Sequence, residues 1–249
     1  GVIRTVVAPC GCCGIILELN CETDFCAKGD KFQGLVNDVA KALADSKAST
    51  LEEALQVSMP EGTTEEYIKA MCSSIGENMG LRKFARLTVD GNGTIASYIH
   101  MGGKVGVMVE VATDEVGKNS DLVKEFAHDV CLQIAAAKPE AVRREEVDAD
   151  KLAKEAEIQR AKAIESGKPE KIVDRIVAGQ IEKYYKEVCL LDQQFVKDGD
   201  KTITSLMNET AKAAGTTLDI VRYVRFERGE GIEKRKDDLA AEIAAMKKA

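Results

Sequence analysis

Apolar residues run through this chain in two alternating textures, short unbroken stretches and longer stretches at helical spacing. The segment Gly14-Ile15-Ile16-Leu17-Glu18-Leu19-Asn20 and the segment Gly106-Val107-Met108-Val109-Glu110-Val111-Ala112 share a glycine, four aliphatic positions and a glutamate in the same order. Both are too short for buried helices and too uniformly apolar for half-exposed strands, so each predicts a strand covered on both faces. Each is followed by a helical stripe. Phe32, Leu35, Val36, Val39, Ala40 and Leu43 form the first, and Val123, Phe126, Ala127, Val130, Cys131, Ile134 and Ala135 form the second. A stripe at i, i+3, i+4 and i+7 must be covered, and the strand just before it supplies the nearest sheet. The repeat therefore predicts an α+β fold of two duplicated subdomains, each with a small antiparallel sheet and helices on one side.

Between the repeats, Leu81 to Leu87 and Thr94 to His100 read as strands flanking the turn signal Asp90-Gly91-Asn92-Gly93. The expectation is an antiparallel hairpin made of those two strands. After Lys138-Pro139 the texture changes. A charged, alanine-rich helix over 148–166 carries only the thin stripe Leu152, Ala156 and Ile164. Gly167-Lys168-Pro169 breaks it, and Ile172, Ile176, Ile181, Tyr184 and Val188 fall on a second helix. This pair is expected to be an inserted, projecting antiparallel coiled coil. The fold then resumes with a strand over 188–196, a helix over 202–214 stopped by Gly215, and a strand over 220–227. In that last strand Val224 and Phe226 are expected inward, Arg225 and Glu227 outward. A final amphipathic helix carries Leu239, Ile243 and Met246. The implied division is 1–94 for the first subdomain, 95–147 with 189–232 for the second, 148–188 for the hairpin and 233–249 for the C-terminal helix.

Composition narrows the function. The 249 residues contain 35 basic and 42 acidic side chains, for a net charge of -7 with both signs interspersed, so a phosphate-tracking surface is not expected and no direct nucleic-acid partner is implied. No apolar run reaches the roughly 18 residues of a membrane span, and the first residues lack a secretory signal pattern. Eight cysteines crowd toward the start, at Cys10, Cys12, Cys13, Cys21 and Cys26, with Cys72, Cys131 and Cys189 scattered singly. That is not a disulfide framework. A zinc reading of Cys10, Cys12 and Cys13 lacks a second cysteine pair or a nearby histidine to complete four ligands, so reduced, small apolar cysteines are expected there instead.

Catalytic signatures are missing as well. Gly103-Lys104 lacks the rest of a phosphate loop, and no G-x-G-x-x-G follows a strand. His128 lies just off the stripe of its helix and reads as an ordinary helix residue. Cys131 lies on that stripe, where burial makes a thiol a poor nucleophile. Neither an enzyme nor a cofactor is implied. The odd segment is Thr23-Asp24-Phe25-Cys26-Ala27-Lys28, out of phase with the stripe that starts at Phe32. Asp24 can cap a turn with Phe25 tucked beneath, or Phe25 can be an exposed aromatic anchor held at a strand end, the kind of residue that dominates interfaces.

The run Glu18-Leu19-Asn20-Cys21-Glu22-Thr23-Asp24-Phe25, with Ala27-Lys28, resembles the signature of the translation elongation factor Ts family. Four further motifs are similar to later family motifs in the same order: Ile75-Gly76-Glu77-Asn78, Ala135-Ala136-Ala137-Lys138-Pro139, Ser166-Gly167-Lys168-Pro169, and the run from Phe226 to Lys234. The resemblance implies a guanine-nucleotide exchange factor for the translational GTPase elongation factor Tu, acting in a bacterial cytoplasm or in an organelle of bacterial descent. It implies that Thr23, Asp24 and Phe25 meet the partner's nucleotide-binding domain, with Ile75, Gly76 and His100 as further contacts. Phe195 and Val196 would lie near another partner domain, the 148–188 hairpin would be a self-association or accessory arm, and the C-terminal helix would touch the GTPase domain. The alternative is a non-exchange, ribosome-associated scaffold of the same fold. The sequence departs from the family pattern in four places. It begins after the ubiquitin-associated-like module usual at the start, Cys10, Cys12 and Cys13 replace the polar turn usual at those positions, Cys26 stands where an aliphatic residue is common, and Lys197 stands where an apolar one is.

Overall fold

The two matching runs become the central strands of two sheets. In the computed structural model, which describes residues 1–232, the first half begins with β1 (Val2–Val7) and β2 (Cys13–Asn20), paired antiparallel. The chain continues through a short helix α1 (Asp24–Lys28), the long helix α2 (Asp30–Asp45) and α3 (Leu51–Leu55). A two-stranded ribbon, β3 (Ser58–Met59) with β4 (Gly62–Thr63), leads into α4 (Thr64–Ile75). Strand β5 (Gly80–Thr88) then returns to the free edge of β2. The second half repeats this route with β6 (Gly93–His100), β7 (Val105–Thr113) and α5 (Asp121–Ala137). After a helical pair, α6 (Ala149–Glu165) and α7 (Glu170–Val188), come a ribbon of β8 (Gln194–Phe195) and β9 (Asp198–Thr202), helix α8 (Ile203–Ala214) and β10 (Leu218–Glu227). The sheet orders are β1-β2-β5 and β10-β7-β6, the same topology twice. The duplication thus extends past the strand and helix visible in sequence to the ribbon, the second helix and the return strand. Helices α4 and α8 match even at their ends, with Thr63 and Thr202 as N-caps and Gly76 and Gly215 as left-handed C-caps.

Each central strand is buried on both faces by different partners. Ile15, Leu17 and Leu19 pack under α2 with Val36, Val39 and Leu43, while Val107, Val109 and Val111 pack under α5 with Phe126, Val130 and Ile134. The opposite faces meet each other. Ile3, Ile16, Leu87, Ile95 and Met108 form a third core between the two sheets, bordered by Val224 and Phe226. At roughly 1.5–3 kcal/mol for each aliphatic side chain removed from water, this layer binds the halves into one body. The matching glycines mark where the sheets come closest. A Cβ on Gly14 would lie 3.1 Å from the Met108 sulfur and 3.2 Å from an Ile95 methyl, and one on Gly106 would lie 2.4 Å from an Ile3 methyl. The matching glutamates lie on the same inter-sheet faces. Glu18, fully buried, accepts from Arg82 (3.2 Å), Asn20 (2.9 Å) and the Gly229 amide (2.9 Å). Glu110 accepts from Arg222 Nε at 2.7 Å. Buried carboxylates persist only when paired in this way.

Several expectations are corrected. Leu81–Leu87 and Thr94–His100 do not form a hairpin; they lie in different sheets, and the Asp90–Gly93 turn carries the chain from one sheet to the other. A central strand needs neighbours along both edges to satisfy its buried backbone groups, and a β5–β6 pair would strip one edge from β2 and another from β7. The expected strand over 188–196 shrinks to Gln194–Phe195. Helix α7 runs to Val188, and Leu190–Asp192 forms a 3-10 turn whose apolar side chains plug the second core. In the hairpin, Ala163, Val173 and Val177 form the contact, whereas Ile164 and Ile172 are exposed. Arg225, expected outward, has a side chain only 9% exposed and pairs with Glu227 at 2.9 Å, because it shares the helix-side face with Tyr223. Cys10 and Cys12, expected reduced, are joined in a disulfide across the β1–β2 turn, where Gly11 (φ 67°) folds the backbone back on itself. The expected C-terminal helix lies outside the described residues. No described helix is long and apolar enough to cross a membrane.

Candidate partner-binding site

Strand β2 delivers its last residues to a tight turn at the end of the first sheet. Thr23 caps the short helix α1, accepting from the Cys26 amide at 3.1 Å. The same turn is stitched to the loop that follows α4. Glu77 Oε2 accepts from the Glu22 and Thr23 amides (3.0 and 2.9 Å), Glu77 Oε1 accepts from the Thr23 hydroxyl (2.5 Å), and Asn78 donates to Glu22 (2.7 Å). The Thr23 hydroxyl, more than any other donor, holds the Glu77 carboxyl below its ordinary range. Helix α4 ends just before this loop because Gly76 takes a left-handed conformation (φ 84°) that a side chain would strain. Thr23, Asp24, Phe25, Ile75 and Gly76, distant in sequence, are thereby brought together.

Phe25 projects from this clamp with 91% of its surface in water. The alternative, a ring tucked beneath a capped turn, is excluded by that exposure. An aromatic ring left in solvent forgoes the burial that Phe32, Phe84, Phe126 and Phe195 obtain. Beside it lies a cavity of about 290 Å³ lined by Cys26, Phe32, Ser74 and Ile75 among others. Asp24, on the other flank, is exposed and pairs with Arg228 at 3.3 Å. Both border a polar cleft of about 440 Å³ that extends to Met101 and Lys104 in the β6–β7 turn.

The remaining sequence-predicted residues form a second cluster. His100 and Val196 line one cavity of about 260 Å³ with Tyr98, Leu132, Ala135, Ala136 and Lys197. The Tyr98 hydroxyl and His100 Nδ1 are 3.0 Å apart, and Tyr98 also meets His128 edge-on at 5.9 Å between ring centres. Val196 is half exposed. Phe195, by contrast, is buried in the second core, so it offers no side chain at the surface: it closes the short strand β8, whereas Val196 falls in the turn that leads to β9 and stays in water. Lys197 pairs with Asp129 at 2.6 Å. Sequence reasoning did not single out Glu77, Arg228 or Tyr98 as site residues, although Glu77 and Arg228 both lay inside quoted motifs. Cys131 is fully buried and its thiol is pushed up by that burial, consistent with a packing role.

Comparison with known proteins identifies the family. The profile of the family described as Elongation factor TS matches residues 22–230. A protein of Clostridium botulinum named Elongation factor Ts is 48% identical over 245 residues, covering 98% of this chain and 80% of that protein. One of Clostridium perfringens with the same name is 47% identical, covering 99% of this chain and 80% of its own length. A third, of Syntrophotalea carbinolica, is 45% identical, with 96% and 78% covered. The matched region holds both halves of the duplicated fold, the clamp at Thr23 and the exposed ring at Phe25, and the chain belongs to the elongation factor Ts family of translation elongation factors.

Proposed function

We propose that this chain is a guanine-nucleotide exchange factor that binds elongation factor Tu and speeds GDP release during bacterial protein synthesis. The observation that carries the reading is Phe25, a large apolar ring almost wholly exposed on a turn fastened by hydrogen bonds through Thr23 and Glu77. Such a ring gains its burial energy only inside a partner. An exchange factor needs no acid, base or nucleophile and makes or breaks no bond; it needs interaction energy that is realised only when the partner's nucleotide site is distorted. Reciprocity follows: whatever the factor subtracts from GDP affinity, GDP subtracts from the factor's affinity. A ten-thousandfold change corresponds to about 5.5 kcal/mol of differential interaction, within reach of a buried aromatic and its neighbours.

In this reading Phe25 enters the GTPase domain, while Thr23, Asp24, Ile75 and Gly76 shape the surface around it. His100 and Val196, lining a separate cavity, meet a second region of the partner. The helical hairpin is a self-association or accessory arm, supported by the exposed Ile158, Ile164 and Ile172 along it. The test is release of fluorescent GDP from elongation factor Tu. The wild-type chain is expected to accelerate release, and Phe25→Ala to lose about 100-fold of that acceleration, near 3 kcal/mol, with unchanged thermal unfolding. A wild-type chain without effect on release would overturn the reading and favour a scaffold role.

A further inference from the structure

We propose that Cys21, Cys26 and Glu77 form a binding site for a thiophilic divalent cation of the zinc class at the foot of the Phe25 turn. Their ligand atoms, two sulfurs and a carboxylate oxygen, all lie within 4.8 Å of one another, and this is the sole such group among the described residues. Zinc–sulfur bonds of about 2.3 Å and zinc–oxygen bonds of about 2.1 Å in a tetrahedron set donors roughly 3.5–3.8 Å apart, so the three need close by only about 1 Å. The site differs from the one weighed in the sequence. Cys10 and Cys12 are committed to each other in a disulfide, whereas Cys21 and Cys26 are free thiols.

The donor set selects the ion. Two thiolates with one carboxylate suit zinc, cobalt or cadmium and disfavour magnesium and calcium, which take oxygen ligands. The outer hydrogen bonds that a metal-binding carboxylate requires are already in place, since the Glu22 amide, the Thr23 amide and the Thr23 hydroxyl aim Glu77. Binding converts two thiols and M²⁺ into a dithiolate complex with release of two protons to solvent, and it breaks the 3.3 Å bond from the Cys21 thiol to the Thr23 carbonyl. Three protein ligands leave a fourth position for water or for a donor from elsewhere.

The consequence is mechanical. Cys26 adjoins Phe25 on α1, Cys21 directly follows β2, and Glu77 follows α4, so one ion would tie together the three segments that hold the ring. The inference stands on these side chains and does not depend on exchange activity, so it is tested without the partner. The full chain, reduced and stripped with a chelator, is titrated with Co²⁺ and then Zn²⁺. About one Co²⁺ per chain is expected, with sulfur-to-cobalt charge-transfer absorption, displacement by Zn²⁺ and release of about two protons. Cys26→Val, which keeps the space filled, should abolish the band, as should Cys21→Ala, both with unchanged circular dichroism. Glu77→Gln should weaken binding by at least about tenfold. Changing Cys10, Cys12 and Cys13 together to serine should leave it intact. The proposal fails if no stoichiometric Co²⁺ binds. It fails equally if the band survives loss of Cys21 and Cys26.

Discussion

The two halves of the molecule solve the same junction with opposite chemistry. In the first, the acid sits on the loop after the second helix, where Glu77 accepts from Thr23 at the end of the central strand. In the second, the acid sits at the end of the central strand: Asp114 accepts from the Thr216 hydroxyl at 2.5 Å and the Thr217 amide at 3.1 Å on the loop after α8. Either way a carboxylate clamps the strand–helix turn to the return loop. What the clamp displays differs. The first presents Phe25, the second presents Val116, itself 69% exposed. The two halves supply matching clamped turns, and only one of them carries an aromatic ring.

The buried glutamates offer the largest expected contrast. Glu18→Ala removes the acceptor for Arg82, Asn20 and the Gly229 amide inside the fold, and loss of one partner of a buried pair costs about 3–5 kcal/mol. Glu110→Ala leaves Arg222, which is more than half exposed and can turn to water, so a loss of about 1–2 kcal/mol is expected. Urea unfolding of both variants measures the difference. Equal losses would mean that the contact between Glu18 and the turn after β10 contributes nothing to joining the ends of the chain.

Phe25→Ala is expected to cost about 3 kcal/mol in stimulated GDP release, and Val116→Ala, its positional counterpart, less than about 0.5 kcal/mol, with both proteins as stable as wild type. An intermediate substitution sharpens the point. Phe25→Leu keeps apolar volume but not the flat ring, and should recover part of the activity. If Val116→Ala slowed release as much as Phe25→Ala, the two turns would be functionally equivalent and the asymmetry drawn from exposure would be wrong.

How much of this could be read beforehand depends on whether the constraint left a local mark. The repeat was legible because close approach of two sheets demands glycine at Gly14 and Gly106, and a buried acid at Glu18 and Glu110 interrupts an otherwise apolar run. Phe25 was legible as a ring out of phase with its helix. Strand pairing was not, since which edge accepts β5 is decided by the unmet backbone groups of β2, far away in sequence. Nor was the split between Phe195 and Val196, where one step from the end of β8 into the turn before β9 separates core from surface. Glu77 stood in a quoted motif, yet an acidic residue after a helix C-cap looks like any solvated loop residue until its partner is known. The Cys10–Cys12 disulfide likewise depends on a turn whose path no spacing rule gave.

The smallest expected effect separates the two clamps by pH. Asp114 is held at about 2 against an ordinary value of 3.8, chiefly by the Thr216 hydroxyl and then by the Gly117 and Thr217 amides, all of which favour the ionised form. A carboxyl whose folded value lies below its unfolded value contributes stability that is present above the unfolded value and lost as pH falls toward the folded one. For Asp114 the window is therefore from about pH 4 down to about 2. Asp114→Asn should lower the urea midpoint slightly at pH 7, and the gap to wild type should close across that window. Stimulated GDP release at neutral pH should stay unchanged, because the turn it fastens presents Val116 and not Phe25. Glu77→Gln should do the reverse, slowing release by loosening Thr23 while barely moving the midpoint. A gap for Asp114→Asn that stayed constant from pH 7 to pH 2 would show that its hydrogen bonds do not depend on charge, and a fall in release would show that the second clamp also bears on partner binding.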